Sequence, residues 1–199
     1  DHTSVLKDLK EAKRNGVKLA HLSFLIRRIN PFYDGLAFIS LYAFLIKESP
    51  IIVHTHTSKA GFLGRLAAKL ARIPIIIHTP HGHVFFGYFG PLKSRIFISL
   101  EKIASRITDK IVALTNREKE DYLLFKVADE DKIVVIHSGI ELDKFTELPL
   151  DEKQRMKREL GLPENSLIVG TAGRLVPVKG PEYLLEAARW IIPEKPDTF

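Results

Sequence analysis

The sequence of 199 residues is long enough for one large domain, or for one domain and part of a second. Apolar residues make up 45% and charged residues 27%, which excludes a disordered or collagen-like chain, and the absence of cysteine excludes disulfides, a thiol nucleophile and cysteine zinc sites. Residues 1–145 hold 22 basic against 15 acidic side chains, a net charge of +7, whereas the whole chain has a net charge of +6. We therefore expect anionic partners there.

Apolar runs alternate with helical patterns along the chain. In chain order the sequence predicts a helix over 4–15, a strand over 17–22, a helix over 35–47, a strand over 51–53, a helix over 59–72, a strand over 75–78, a loop over 79–91, a helix over 93–107, a strand over 110–114, a helix over 116–126, a strand over 132–136, a helix over 150–160, a strand over 167–171 and a helix over 181–192. The strands are continuous Ile, Val and Leu runs, which is typical of parallel strands buried on both faces. The alternation predicts an α/β fold with a doubly wound parallel sheet. The polar segment 137–150 is the predicted domain boundary.

Five of the eight histidines follow two successive predicted strands, and in parallel sheets ligands bind at the carboxyl ends of strands. They are His54, His56, His78, His81 and His83. One hypothesis is the metal centre of a metal-dependent hydrolase, because neutral imidazole binds zinc and iron well. However, Thr57, Ser58 and Lys59 stand where such a motif needs an aspartate and a further histidine. The other hypothesis is a set of histidines that line a cleft and bond a polar ligand.

The helix that opens at Ser58 begins directly after a predicted strand. Its glycines, Gly61 and Gly64, do not fit a P-loop or a dinucleotide fingerprint. We interpret them as positions where the helix packs closely against a neighbour, although free amides at the start of the helix could also meet an anion.

Aromatic side chains fill the loop 79–91, and the helix after it carries a basic face. The residues concerned are Phe85, Phe86, Tyr88, Phe89, Arg95, Lys102 and Arg106. They could form an ordinary amphipathic helix with a solvated basic face. Alternatively, they contact an anionic membrane or a lipid-linked substrate, and the chain would be a basic membrane-binding module without catalytic activity. Nucleic acid is not an expected partner, because no nucleic-acid-binding motif is present.

The loop between the strand over 167–171 and the last helix contains Gly173, Arg174, Lys179 and Gly180. An arginine offers a planar fork to a phosphate and a lysine a compact point charge. The helix that starts at Pro181 adds free amides and a favourable dipole. The loop therefore predicts a diphosphate site.

The sequence Gly173-Arg174-Leu175-x-x-x-Lys179-Gly180, followed by Leu184-Leu185-x-Ala187, resembles the donor-phosphate motif of glycosyltransferase family 4, which has the GT-B fold. Residues 135–145 resemble the connection between the two domains of that family, with His137, Ser138 and Glu141 departing from its pattern. Residues 54–61 and 78–82 are similar to the subgroup that builds bacterial capsule, exopolysaccharide or O-antigen.

This resemblance implies two Rossmann-like domains. Residues 1–145 would be the acceptor-side domain without its first strand and loop, and residues 146–199 the truncated beginning of the domain that binds a nucleotide sugar. The implied activity is a hexosyl transfer, with retention of configuration, from a nucleotide-diphosphate sugar to a saccharide acceptor. The resemblance implies that this acceptor is linked to a lipid. No metal or other cofactor is expected. The fragment alone would be inactive, cytoplasmic, and peripheral at the inner face of the cell membrane.

The resemblance also implies roles for single residues. His81 would lie near the transferred sugar as the catalytic histidine. Arg174 and Lys179, with Gly173 and Gly180, would bind the donor diphosphate. The acceptor side would be lined by His54, His56, Ser58, Lys59 and His83.

Overall fold

The computed structural model describes residues 2–26, 28–82, 85, 89–176 and 179–198. The chain forms two compact units, residues 1–137 and residues 138–199. The division falls inside the segment 137–150, where the sequence predicts a domain boundary.

The first unit consists of helices alternating with short strands. They are α1 (His2–Arg14), α2 (Pro31–Glu48), β1 (Ile52–His56), α3 (Ser58–Leu70), β2 (Ile75–Thr79), α4 (Pro91–Arg106), β3 (Lys110–Ala113), α5 (Asn116–Leu124) and β4 (Ile133–Val135). Asn30 caps α2 by accepting the amides of Phe32 and Tyr33, and Thr115 caps α5 by accepting the amide of Glu118. The second unit contains α6 (Leu150–Glu159) and α7 (Pro181–Glu194).

The four strands form one parallel sheet in the order β1-β2-β3-β4. Thr55 lies opposite His78, His78 opposite Ile111, and Ile111 opposite Ile133. Because side chains alternate along a strand, these four residues share one face of the sheet. The α/β class and the parallel sheet expected from the sequence are confirmed.

Two apolar clusters cover that face. Ile76 packs with Leu45 of α2 and with Ala67 and Ala68 of α3. Ile111, Ala113 and Ile133 pack with Tyr122 of α5 and with Phe85, Val127 and Ile98 in the second cluster. The helices therefore stabilise the sheet by removing its central aliphatic side chains from water.

The opposite face of the sheet is exposed at its two edge strands and half-buried at Ile77 and Val112 in the middle, which differs from the burial on both faces that the apolar strands predict. Ile52 is 53% exposed and Val134 is 37% exposed. Crossovers between parallel strands are right-handed. Four strands that follow one another in one direction therefore place their connecting helices on the same face.

A buried ion pair joins α3 to α4. The guanidinium of Arg65, whose side chain is inaccessible to solvent, donates to both carboxylate oxygens of Glu101 over 2.8 Å. Arg65 Nε also donates to the Gly61 carbonyl at 3.1 Å, and the Tyr122 hydroxyl donates to Glu101 Oε1 at 3.4 Å. The pair thus has the additional hydrogen bonds that charges away from water require.

Two predicted strands are wrong. The backbone of residues 17–22 has no ladder partner in the described part of the chain, and the Val17 amide instead closes the end of α1 by donating to Ala12. Of residues 167–171, Leu167 alone makes a bridge, to Thr198. A strand exists through hydrogen bonds to a neighbouring strand, so an apolar run without such a neighbour stays irregular.

Across the described residues, the helices are too short or too polar to cross a lipid bilayer. The most apolar helix, α2, is packed against α3 through Leu41, whose side chain lies 3.9 Å from a Cβ built at Gly64.

Replacing one partner of the Arg65–Glu101 pair should lower the free energy of unfolding more than replacing both partners. We expect Glu101→Leu to lower the free energy of unfolding by about 3–5 kcal/mol, because the Arg65 guanidinium would remain buried without a counter-charge. The double variant Arg65→Met/Glu101→Leu should recover much of that loss, since both charges then leave the core. Chemical denaturation followed by circular dichroism measures both effects. Glu130→Gln, which breaks the exposed Lys119–Glu130 pair, is the control and should change stability far less. A Glu101→Leu variant as stable as this control would contradict the prediction.

Candidate functional site

Three histidines meet where β1 and β2 end. His54 Nε2 lies 2.8 Å from Thr79 Oγ1, and His56 Nδ1 lies 2.9 Å from His81 Nε2. The rings of His54 and His56 are 4.3 Å apart between centroids, and those of His56 and His81 are 5.1 Å apart. His54, His56 and Thr79 come together because the register pairs His56 with Thr79, which puts their side chains on one face.

His54 and His56 carry little positive charge at neutral pH, because the pKa of each lies below its ordinary value of 6.5. Partial burial, together with His81, lowers the pKa of His54. Partial burial, and then His54 and His81, lowers the pKa of His56. In the His56–His81 contact one ring nitrogen donates and the other accepts, which fixes the orientation of both rings. The neutral imidazoles of His54 and His56 can donate to or accept from the hydroxyl groups of a polar ligand.

The backbone is strained beside this histidine group. Thr57, directly after β1, has φ 63° and ψ 169°, and His81, two residues after β2, has φ 57°. Both are non-glycine residues with positive φ, a conformation that persists only where neighbouring contacts enforce it. One such contact is the Thr57 amide, which donates to the Thr79 carbonyl at 3.2 Å. Strain of this kind concentrates at binding and catalytic sites.

Lys59, predicted on the acceptor side, is bonded within the chain. Its ammonium donates to the carbonyls of Ile26 at 2.8 Å and Arg28 at 2.7 Å, and it pairs with the Asp34 carboxylate. A lysine has three N–H donors, so these partners use all of them. Lys59 therefore ties the segment before α2 to the start of α3. Ser58, its neighbour, is exposed at that start.

His78, which the sequence groups with the other histidines, is instead a core residue. It is inaccessible to solvent, its Nδ1 lies 2.9 Å from Thr55 Oγ1, and its ring faces α3. A Cβ at Gly61 would overlap this ring, lying 2.9 Å from Nδ1, which confirms that Gly61 is needed for close packing. Burial and then the charge of Arg65 lower the pKa of His78 to about 3. His78 is thus neutral, and its 3.8 Å contact with Glu101 is not an ion pair.

The hypothesis of a histidine metal centre is not favoured. No group of three His, Asp or Glu side chains within the described ranges is placed to hold a metal ion. Residues that are paired across neighbouring strands point to the same face of the sheet. His78 therefore faces the helices together with Thr55, whereas His54 and His56 lie on the opposite face. His83 lies outside the described residues.

Glu118 is not among the residues predicted from the sequence, although its position three residues after Thr115 is a capping-box signal. Glu118 is buried, and its carboxylate accepts the Leu114 amide at 2.7 Å and the Gly82 amide at 2.9 Å. It therefore connects the end of β3 to the turn that contains His81.

The two described aromatic residues of the loop 79–91, Phe85 and Phe89, lie in different environments. Phe85 is 4% exposed and packs against Tyr122 and Phe125, so its predicted contact with lipid is wrong. Its ring is a buried member of the second apolar cluster, so this position of the loop is part of the core. Phe89 is 44% exposed and stacks on Phe97. Phe86 and Tyr88 lie outside the described residues.

The basic face of α4 is exposed at Arg95 and Arg106, whereas Lys102 is half-buried. Lys102 and Arg106 line a surface cavity of about 450 Å³ together with Lys126 and Lys132. Lys132 is not available to a ligand there, because its ammonium donates to the carbonyls of Ser105 and Thr108.

The predicted diphosphate loop lies in the second unit, where Arg174 and Lys179 are exposed. Within the portion of the chain that the structure describes, neither side chain has an ion-pair or hydrogen-bond partner. Gly180, with φ 59°, turns the chain into α7, and a Cβ there would lie 2.7 Å from the Tyr183 ring. Gly173 precedes Arg174 in an exposed, irregular segment. Two exposed cations thus lie before the start of a helix.

Comparison with known sequences supplies the family. The model of Glycosyltransferase Family 4 matches residues 5–144. A UDP-Gal:alpha-D-GlcNAc-diphosphoundecaprenol alpha-1,3-galactosyltransferase of Escherichia coli is 39% identical over 179 residues, which cover 89% of this chain and 46% of the relative. The capsular polysaccharide biosynthesis glycosyltransferase CapM of Staphylococcus aureus is 30% identical over 94% of this chain and 50% of its own length. The chain spans about half the length of these curated relatives.

Solved structures agree in fold. A glycosyltransferase from Rickettsia africae superposes with a TM-score of 0.65 and 25% identity, covering 92% of this chain and 46% of the other. Anabaena Alr3699/HepE, crystallised with UDP, superposes with a TM-score of 0.61 and 20% identity over 76% of this chain and 39% of its own.

The neutral state of His78 predicts an acid-sensitive fold. Its pKa in the folded chain, about 3, is below the ordinary value of 6.5, so the unfolded chain binds the extra proton as the pH falls. The contribution of His78 to the free energy of unfolding is fully present above pH 6.5. The free energy of unfolding should therefore fall by about 2 kcal/mol between pH 7 and pH 5. Urea denaturation of the wild type and of His78→Gln across this range measures the effect. The variant should show a flatter pH dependence, and equal slopes would contradict the assignment to His78.

Proposed function

The chain belongs to glycosyltransferase family 4, and from this membership we propose that the full-length protein transfers a hexose, with retention of configuration, from a nucleotide-diphosphate sugar to a saccharide acceptor. The observation that carries the proposal is the group of His54, His56 and His81 at the carboxyl edge of the sheet, within the part of the chain that matches the family. Ligands of open parallel sheets bind at this edge.

We propose UDP-sugar as the donor, because the Escherichia coli relative uses UDP-Gal by its name and the fold relative HepE binds UDP. Arg174 and Lys179 would hold the diphosphate, since both side chains are exposed and neither has a hydrogen-bond or ion-pair partner among the described residues. In the reaction the bond between the anomeric carbon and the diphosphate breaks, and its electron pair leaves with the nucleoside diphosphate. The two cations would stabilise the charge that develops there. No metal is assigned a step.

The acceptor hydroxyl forms the new bond to the anomeric carbon, and its proton balances the charge of the departing nucleoside diphosphate. His81 would contact the transferred sugar, because it is held in place by His56 and is accessible at the edge of the sheet. His54, His56 and Ser58 would contact the acceptor. Lys59 would serve that side by holding the segment before α2, since its donors are used internally.

We propose a lipid-linked saccharide as the acceptor, by analogy with the relative that acts on GlcNAc-diphosphoundecaprenol. Such an acceptor places the enzyme at the inner membrane surface. The exposed cations of α4, Arg95 and Arg106, support this location because they can meet anionic headgroups. Cytoplasmic residence with peripheral contact is therefore part of the proposal.

The donor-binding role can be tested in the full-length protein. Arg174→Ala/Lys179→Ala should lower kcat/KM for the donor by about 10²–10⁴-fold, because two charge-assisted contacts to the diphosphate are lost. Radiolabelled sugar transfer measures the rate. Arg189→Ala removes an exposed cation of α7 and should leave the rate unchanged. A double variant with the activity of the wild type would show that the diphosphate binds elsewhere.

The membrane contact can be tested with the chain itself. Sedimentation with phosphatidylglycerol vesicles should capture the wild type, and added salt should release it. Arg95→Gln/Lys102→Gln/Arg106→Gln should abolish capture, because the basic face of α4 loses its charge. The control Lys47→Gln/Lys69→Gln/Arg72→Gln makes the same change in net charge at exposed positions of α2, of α3 and of the turn that follows α3. Equal capture of both triple variants would contradict a role for α4.

A further inference from the structure

We propose that Glu118 is a positioning residue for His81: its buried carboxylate holds the Gly82 amide and thereby keeps the His81 imidazole in contact with His56. The functional meaning of this arrangement depends on the proposed role of His81, whereas the structural link between Glu118 and His81 can be tested without it.

The bonds of Glu118 exceed what capping α5 requires. In an ordinary capping box the glutamate at the third helical position accepts the amide of the capping residue. Here Thr115 accepts the Glu118 amide at 3.0 Å, but the Glu118 carboxylate bonds Leu114 at 2.7 Å instead. Its other oxygen accepts the amide of Gly82 at 2.9 Å, 36 residues away in sequence. One carboxylate oxygen is thus used to fix a turn that belongs to a different strand.

The turn that Glu118 bonds has an unfavourable backbone conformation. His81 has φ 57° and Gly82 has φ 92°, so two successive residues have positive φ. For a non-glycine residue such as His81 this conformation is sterically unfavourable. Relaxation of His81 towards negative φ would redirect its side chain away from His56. The bond between the Gly82 amide and a carboxylate opposes that relaxation, because hydrogen bonds to a charged acceptor are the stronger ones.

The placement of the carboxylate makes the restraint stiff. Glu118 is 6% exposed and lies in the first turn of α5, where the helix dipole favours a negative charge. The next turn of α5 is anchored by Tyr122, which is 1% exposed in the apolar core. The Glu118 side chain therefore links the turn that contains His81 to the apolar core. The imidazole, in turn, is 2.9 Å from His56 Nδ1.

The first experiment uses the chain itself. In long-range ¹H–¹⁵N spectra of the imidazoles, the wild type should show His56 and His81 as a hydrogen-bonded donor and acceptor, and the Gly82 amide should be protected from exchange. Glu118→Ala should remove both signatures. Thr115→Ala, which removes the capping bond of α5 but leaves the carboxylate, is the control and should keep both while lowering thermal stability. A merely structural role of Glu118 predicts that the two variants lose stability and keep the His56–His81 signature alike.

Two outcomes would overturn the proposal. One is a folded Glu118→Ala in which the Gly82 amide stays protected. The other is any variant in which Gly82 loses protection and the His56–His81 signature persists. If Glu118→Ala does not fold, Glu118→Gln replaces it under the same two criteria, since an amide side chain offers one acceptor oxygen to the two amides.

The second experiment measures sugar transfer in the full-length protein. Displacing a group that contacts the reacting centre typically costs up to about 10²-fold, so Glu118→Ala should lower kcat by about 10- to 100-fold. Its KM for the donor should stay within about twofold, because the diphosphate contacts are elsewhere. Glu120→Gln, an exposed neighbour on α5, should leave both parameters unchanged. A raised KM with unchanged kcat would refute the positioning role.

The same assay separates the two proposals. If His81→Ala retains full activity, the catalytic role of His81 fails, and the spectra still decide whether Glu118 positions the ring. If His81→Ala is inactive while Glu118→Ala keeps the kcat of the wild type, the positioning role fails and the proposed function stands.

Discussion

The Arg65–Glu101 ion pair is the constraint on which the first unit depends. It joins α3 to α4 away from solvent, and Glu101 also accepts the Tyr122 hydroxyl of α5. Buried charges of this kind add little net stability compared with apolar side chains of the same volume, but they tolerate few alternative arrangements. The pair therefore specifies how the three helices lie on the sheet. His78 stays neutral beside it, because burial and the guanidinium charge both oppose protonation.

The arrangement of the helices on one face of the sheet also determines which side chains lie on the opposite face of the same strands. Thr55 and His78 point towards the helices, so their neighbours His54, His56 and Thr79 point the other way. Close packing at Gly61 brings the start of α3 against His78 and leaves Thr57 in a strained conformation. On the far side of the histidines, Glu118 ties the turn at Gly82 to α5. Core packing and site geometry are thus two sides of one set of contacts.

Much of this could be predicted from the sequence, because it depends on local patterns. Short apolar runs of three to five residues marked β1 to β4, and helical spacing with capping residues marked the helices between them. Residues 17–22 and 167–171 have the same apolar character, yet they are irregular, because strand formation depends on a partner that composition does not reveal. The loop with Arg174 and Lys179 could be recognised because its spacing is local.

The sequence by itself determined the α/β class, the family and the concentration of histidines at two strand ends. The tertiary structure alone decided which histidines share a face, because one residue of register moves a side chain to the other side of a sheet. It placed His78 and Phe85 in the core and used the donors of Lys59 internally. It also brought Glu118 to Gly82, a contact between residues far apart in sequence. Such contacts arise from how helices pack on strands, and no local pattern records them.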